Sequence, residues 1–195
     1  MQQLSQKYRP ILSTPFGREG YREIMPCAAL SPFIRCFWTE RQLMPGVLII
    51  PDTCMDIIFR IGGEPSFCAL DDSSYYSTDI GSELFGIRFY AWTAALFSRR
   101  DFSGSGNGIF PAGEFFDGTE ELNAAIQQAK TPEERKAIAE SWLLRRLETI
   151  SADSDLLNAV DFIIDGHGAR EISELRMHTA VSARRLERLF AKYMG

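Results

Sequence analysis

The hydrophobic side chains of this 195-residue chain change their period once, and that change limits the folds open to it. From Ser31 to Tyr90 they recur at every second residue, as in strands. Ile34 to Arg41 alternates Ile34, Cys36 and Trp38 with Arg35, Phe37 and Thr39. Met55 to Ile61 sets Met55, Ile57, Phe59 and Ile61 against Asp56, Ile58 and Arg60. Leu84 to Tyr90 places Phe85, Ile87 and Phe89 on one face. Val47 to Ile50 and Ser66 to Leu70 add two short runs, with turns at Pro51 and Gly62-Gly63. Turn signals this frequent predict an antiparallel sheet, curled or barrel-like. Residues 1–30, punctuated by Pro10, Pro15, Gly17, Gly20 and Pro26, read as extended edge structure.

From Asp117 the spacing becomes helical. Asp117-Gly-Thr-Glu opens a helix reaching about Lys130. Thr131-Pro132-Glu133-Glu134 then supplies an N-cap, a proline at the first helical position and a capping-box glutamate. That second helix runs to about Thr149 with a stripe of Ile138, Trp142, Leu143, Leu147 and Ile150. After a junction at 150–154, Leu156, Val160, Ile163 and Ile164 mark a helix from Ser154 to Asp165, closed by Gly166. Strands followed by helices define an α+β chain: a β-rich module over 1–115, connecting or dimerising helices over 116–151, and a separate helical end over 152–195. Those last residues are too few for a large core and are expected to lean on the 119–150 helices or on a partner chain.

The helical end carries the clearest functional signal. Glu171 to Met177 is a short helix with Ile172 and Leu175 three apart, and His178 to Val181 is a turn. From Ser182 to Tyr193, Leu186, Leu189, Phe190 and Tyr193 fall at i, i+3, i+4 and i+7, one buried helical face. Ser182 stands where its hydroxyl caps the helix. Ala183, Arg184, Glu187, Arg188 and Lys192 occupy the opposite face. Helix, short turn and capped basic helix make a helix-turn-helix candidate.

The run V-S-A-R-R-L-E-R-L-F-A-K-Y-M-G resembles the first helix-turn-helix of AraC/XylS-type transcription regulators, through Ser182, Arg184, Leu186, Arg188, Phe190 and Gly195. Three upstream pieces are similar to the N-terminal module of a subset of those regulators: Leu30 to Trp38, Pro51 to Phe59 and Phe85 to Tyr90. The chain departs from that pattern at Thr53, where glycine is expected, and at Ala91-Trp92, where a Pro-Gly pair is expected. The resemblance implies a second helix-turn-helix, which this sequence does not contain; a truncated regulator is the expectation, with a naturally shortened one as the alternative.

Charge is distributed in keeping with a DNA-reading end. From Arg170 onward there are six Lys/Arg (170, 176, 184, 185, 188, 192) against three Glu (171, 174, 187), on a chain whose net charge is −5. Arg184 and Arg188 are the candidates for guanine, whose O6 and N7 suit a guanidinium fork. Glu187 is placed to accept from cytosine or to orient an arginine, and Arg185, Lys192 and Arg176 to meet phosphates. A single unit of this kind binds weakly and with strong salt dependence, so a homodimer on double-stranded DNA is expected.

Other chemistry fares worse. The two histidines, His167 and His178, both lie outside the strand region, so neither a histidine metal centre nor a Ser-His-Asp arrangement can be assembled in the sheet. Asp52 and Asp56 are a carboxylate pair, for which pairing of Asp56 with Arg60 or Arg88 is the plainer role. Arg99 to Pro111, rich in glycine and serine, reads as a surface loop, and its Gly-Ser-Gly-Asn-Gly (104–108) lacks the setting of a phosphate loop. Cys27, Cys36, Cys54 and Cys68 form no C-x-x-C pair and read as free thiols. No catalytic residue, metal or cofactor is therefore assigned. A small-molecule effector is a candidate partner, with Trp38, Phe59, Phe67, Phe89 and Trp92 as walls and Arg88 as polar anchor; a filled aromatic core is the competing reading. No signal peptide or membrane span is read, so the expectation is a cytoplasmic protein. The alternative function is an effector-binding or interaction module whose helical tail only docks.

Overall fold

Alternation of Phe85, Ile87 and Phe89 sets the side of the sheet that becomes core. The computed structural model describes residues 1–8, 20–41, 48–76 and 81–195; the prolines at 10 and 15, Gly17 and Val47 lie outside them. The strands are β1 (Tyr21–Ile24), β2 (Ile34–Arg41), β3 (Leu48–Ile49), β4 (Cys54–Arg60), β5 (Ser66–Cys68), β6 (Tyr75–Tyr76), β7 (Glu83–Tyr90) and β8 (Ile109–Pro111). Six form one antiparallel sheet in the order β1-β2-β7-β4-β5-β8, while β3 and β6 pair separately. The sheet is not closed. Its edge strands β1 and β8 each have one neighbour, so among the described residues it is an open sheet and not a closed barrel.

Helices, rather than closure, cover the core face. They are α1 (Gln2–Lys7), α2 (Ala94–Phe97), α3 (Thr119–Gln128), α4 (Pro132–Leu147), α5 (Ser154–Asp165), α6 (Ile172–Thr179) and α7 (Ala183–Met194). Across β4 and β7 the register sets Met55 opposite Phe89, Ile57 opposite Ile87 and Phe59 opposite Phe85. Onto this face pack Phe97 of α2, Phe102, Phe115 and Phe116 of the following loop, Leu122 and Ile126 of α3, and Trp142 and Leu143 of α4. The helices read as a connecting segment thus share the sheet's core. Burial of each such side chain stabilises by about 1.5–3 kcal/mol.

Strand β2 departs from the alternation read in its sequence. A bulge between Ile34 and Cys36 inserts one residue, so Phe37 joins Ile34 on the core face while Cys36 and Trp38 face the other way. Phe37 then stacks on Phe85, with centroids 6.1 Å apart and planes within 11°. The N-terminal reading needs correction too: Gln2–Lys7 is helical, with Leu4 buried against the C-terminal helices. With one buried apolar residue in six, α1 carries no periodic signal of its own.

Helix boundaries follow cap chemistry. Thr131 caps α4 through its hydroxyl, which accepts from Glu134 N–H at 3.2 Å, while the Glu134 carboxylate accepts from Lys130 N–H at 2.7 Å. Asp153 caps α5. Glu171 and Glu174 form a capping box on α6, and Ala180 adopts a left-handed conformation (φ 54°) that ends it. Ser182 then caps α7 as expected, accepting from Arg185 N–H at 3.3 Å.

Candidate nucleic-acid interface and the polar face of the sheet

Helices α5, α6 and α7 enclose a small core of Ala159, Phe162, Leu175, Val181 and Leu186, with Ile163 and Phe190 packed against it. Leu175 and Leu186 are the inward residues of α6 and α7, and Val181 fills the turn between them. The opposite face of α7 is open. Arg184, Glu187, Arg188 and Lys192 are exposed, as is Arg176 on α6. Arg176, Arg184, Glu187 and Arg188 make no side-chain hydrogen bond or ion pair among the described residues, whereas Lys192 Nζ lies 5.2 Å from the Tyr193 ring centroid. Arg184 and Arg188 are one turn apart and thus neighbours on the same edge.

Arg185 differs from the others. Its Nε donates to Asp155 Oδ2 at 2.6 Å and its Nη2 to Asp153 Oδ2 at 3.2 Å, tying α7 to the start of α5. The hydrogen bond to Asp155 raises its pKa further above the ordinary arginine value. The residue read as a phosphate contact is engaged with carboxylates instead.

The helical end is joined to the sheet body through a second cluster. Leu189 and Tyr193 of α7 and Leu156 and Val160 of α5 pack against Tyr90, Trp92 and Leu4. Tyr8 lies edge-on to Tyr90 and Trp92, each at 5.6 Å, and its hydroxyl donates to Asp52 O at 2.6 Å. Lys7 pairs with Asp161 at 2.7 Å and Asp165 at 3.1 Å on α5. The loop read as glycine-rich surface also takes part: Phe102, fully buried, donates its N–H to Lys192 O at 2.9 Å. Helix α7 therefore touches both its own unit and the body.

The six residues expected to line an effector pocket are not brought together. Phe59, Phe67 and Phe89 fill the core face. Trp92 lies at the joint with the helices. Trp38 and Arg88 meet on the sheet's other face, where a row runs Cys36, Arg88, Asp56, Cys68 across β2, β7, β4 and β5. Gly86 makes the arrangement possible: a Cβ there would lie 2.0 Å from the Trp38 indole, which covers it. From that position Trp38 Nε1 donates to Asp56 Oδ1 at 2.8 Å, and Tyr21 stacks on the indole.

Arg88 is held by two carboxylates, Asp56 through Nε and Nη2 (3.0 and 3.1 Å) and Asp52 through Nη1 (3.2 Å). Its side chain is 18 % exposed and that of Asp56 13 %. Burial works against the charge, yet Asp56 and Asp52 hold the Arg88 pKa well above the ordinary value. Asp52 has its own pKa raised by burial, against the pull of Arg88. The sequence left Asp56 between Arg60 and Arg88; the register across β4 and β7 selects Arg88. Burial also pushes the Cys36 and Cys54 thiols well up, leaving them inert at neutral pH. Among the described residues no group of three His, Cys, Asp or Glu is placed to hold a metal ion, and no helix is long and apolar enough to cross a membrane.

The sequence signals missed here were the partners. Tyr21 and Gly86 belong to this polar cluster beside the Asp52 and Asp56 pair, and only the glycine inside an otherwise bulky strand gives notice of a close approach.

Residues 22–107 match the family model of a domain of unknown function (DUF6597). The matched segment contains β1 from its second residue, β2 to β7, and the loop that carries Phe102. No curated protein and no solved structure matches the chain.

Proposed function

We propose that this chain is a DNA-binding transcription regulator of the AraC type, with α7 as the recognition helix and the sheet body as a sensing or dimerising module. The carrying observation is the open face of α7: Arg184, Glu187 and Arg188 stand exposed without protein partners, while Leu186 is buried against α5 and α6. A rigid helix with unengaged guanidinium groups near its N-terminal end suits the major groove. Arg176 and Lys192 flank that face and suit phosphates. The sequence resemblance of Ser182 to Gly195 adds weight, and the resemblance in the sheet strands lies within the residue 22–107 match. In this reading two copies place two α7 helices on one duplex, and a small-molecule effector acts through the body.

The docking of Leu189 and Tyr193 onto Tyr90 and Trp92 favours one competing reading, an interaction module whose tail only docks. Gel-shift titration against random duplex DNA at low salt separates the two. Regulator function predicts a shift that weakens steeply as salt rises; no shift at any protein concentration favours the docked tail.

A further inference from the structure

Basic residues on the first turn of a recognition helix are ordinarily assigned to DNA phosphates, and Arg185 sits on such a turn. Its surroundings point elsewhere. Both of its acceptors belong to the first turn of α5, and both are fixed. The Asp153 carboxylate caps that helix by accepting from Asp155 N–H at 2.9 Å through Oδ1, leaving Oδ2 for Arg185. Asp155 presents its Oδ2 from within the same turn. Arg185 is itself anchored, since its backbone N–H is the one capped by Ser182. Two capped helix starts are thus cross-linked by one planar, two-pronged group. Beneath it, Leu186, Val181 and Phe162 share a small apolar cluster.

We propose that Arg185 is a positioning residue for DNA recognition: it fixes the angle at which α7 presents Arg184 and Arg188 by clamping α7 to the start of α5, and it does not bind phosphate. The proposal rests on the DNA-binding reading. It makes a prediction opposite in sign to simple electrostatics. Removing the negative charge of Asp155 strengthens attraction to DNA in general, and it also frees Arg185. If Arg185 acts as a clamp, the same change weakens binding.

The test is fluorescence anisotropy of the full chain on a duplex site chosen from a random pool, across a range of salt. Asp155→Asn keeps the Asp153 cap and tests the clamp with little risk to folding. Asp155→Asn and Arg185→Ala are each expected to weaken binding about two- to five-fold, the scale of an exposed ion pair. The double variant is expected to be no weaker than either single one. Exchange of the pair, Asp155→Arg with Arg185→Asp, is expected to recover most of the loss. Arg185→Ala is also expected to keep the wild-type slope of log affinity against log salt, whereas loss of a phosphate contact lowers it by about 0.9. Tighter or unchanged binding by Asp155→Asn, or a salt slope reduced by that amount, overturns the clamp while leaving DNA binding in place. A wild-type chain that binds no duplex overturns the proposed function and this role with it.

Discussion

In the sheet body, Phe67 has the rings of Phe102, Phe115 and Phe116 at centroid distances of 5.0, 4.9 and 5.1 Å, all within one continuous core reaching α4. In the C-terminal unit, among the described residues, Leu186 shares its core with the buried Ala159, Phe162, Leu175 and Val181. The body's buried core is built from its own strands and helices, with Met194 of α7 packed only at its margin. The C-terminal unit is completed by surfaces the body lends it: Tyr90, Trp92 and Leu4. Dependence should therefore run one way. Loss of the body's core removes the support of the helical unit, whereas loss of the helical core leaves the body standing.

Phe67→Ala is the strongest attempt to break this asymmetry. It removes a fully buried ring and is expected to cost about 3–5 kcal/mol, with sheet and helix signals lost together in chemical denaturation. Leu186→Ala is expected to cost about 2–4 kcal/mol of the C-terminal unit's stability. Its mark is selective: hydrogen exchange should rise in α5–α7 and stay unchanged in β4 and β7. Faster exchange throughout the sheet contradicts the asymmetry. Gly86→Ala comes next, at about 1–3 kcal/mol. Its Cβ displaces the Trp38 indole from Asp56, so the near-ultraviolet tryptophan signal should change with little effect on the C-terminal helices.

A pH experiment gives the smallest effect and sharpens the contrast, because every cysteine lies in the body. Burial raises the Cys36 and Cys54 pKa values above the ordinary 9.0. The neutral thiol is thus favoured by folding, and this contribution is fully present below pH 9.0. As pH climbs beyond 9.0, the unfolded chain releases thiol protons that the native body retains, and stability falls. Denaturation at pH 8 and pH 10 should move the sheet transition down at the higher pH, and neither thiol should react with an alkylating agent at pH 8 until the body unfolds.

How far the chain was legible differs between these regions for physical reasons. Strands β4 and β7 follow strict alternation, and α5 runs from Ser154 to Asp165 as its stripe and caps dictate. In β2 one inserted residue at the bulge moved Phe37 to the core and Trp38 away from it, a change that alternation alone cannot announce. Thr53, where the resemblance called for glycine, does adopt a left-handed backbone (φ 57°). The sequence assigns Arg185 to phosphate; only the folding of α5 beside it brings Asp153 and Asp155 within its reach. Long-range pairing separated the legible from the hidden. The polar cluster around Arg88 needed four strands in register, and the joint at Trp92 needed α1, which local pattern did not reveal.

Whether the open face of α7 reads DNA is decided by comparing binding profiles over a duplex library. Wild-type chain and Arg188→Ala are each partitioned against the same randomised pool, and the enriched sites are sequenced. The expected outcome is a defined wild-type preference that Arg188→Ala relaxes at one position, with a loss of about 1–3 kcal/mol on the preferred site. Identical profiles for the two proteins, or no enrichment by the wild type, would contradict it.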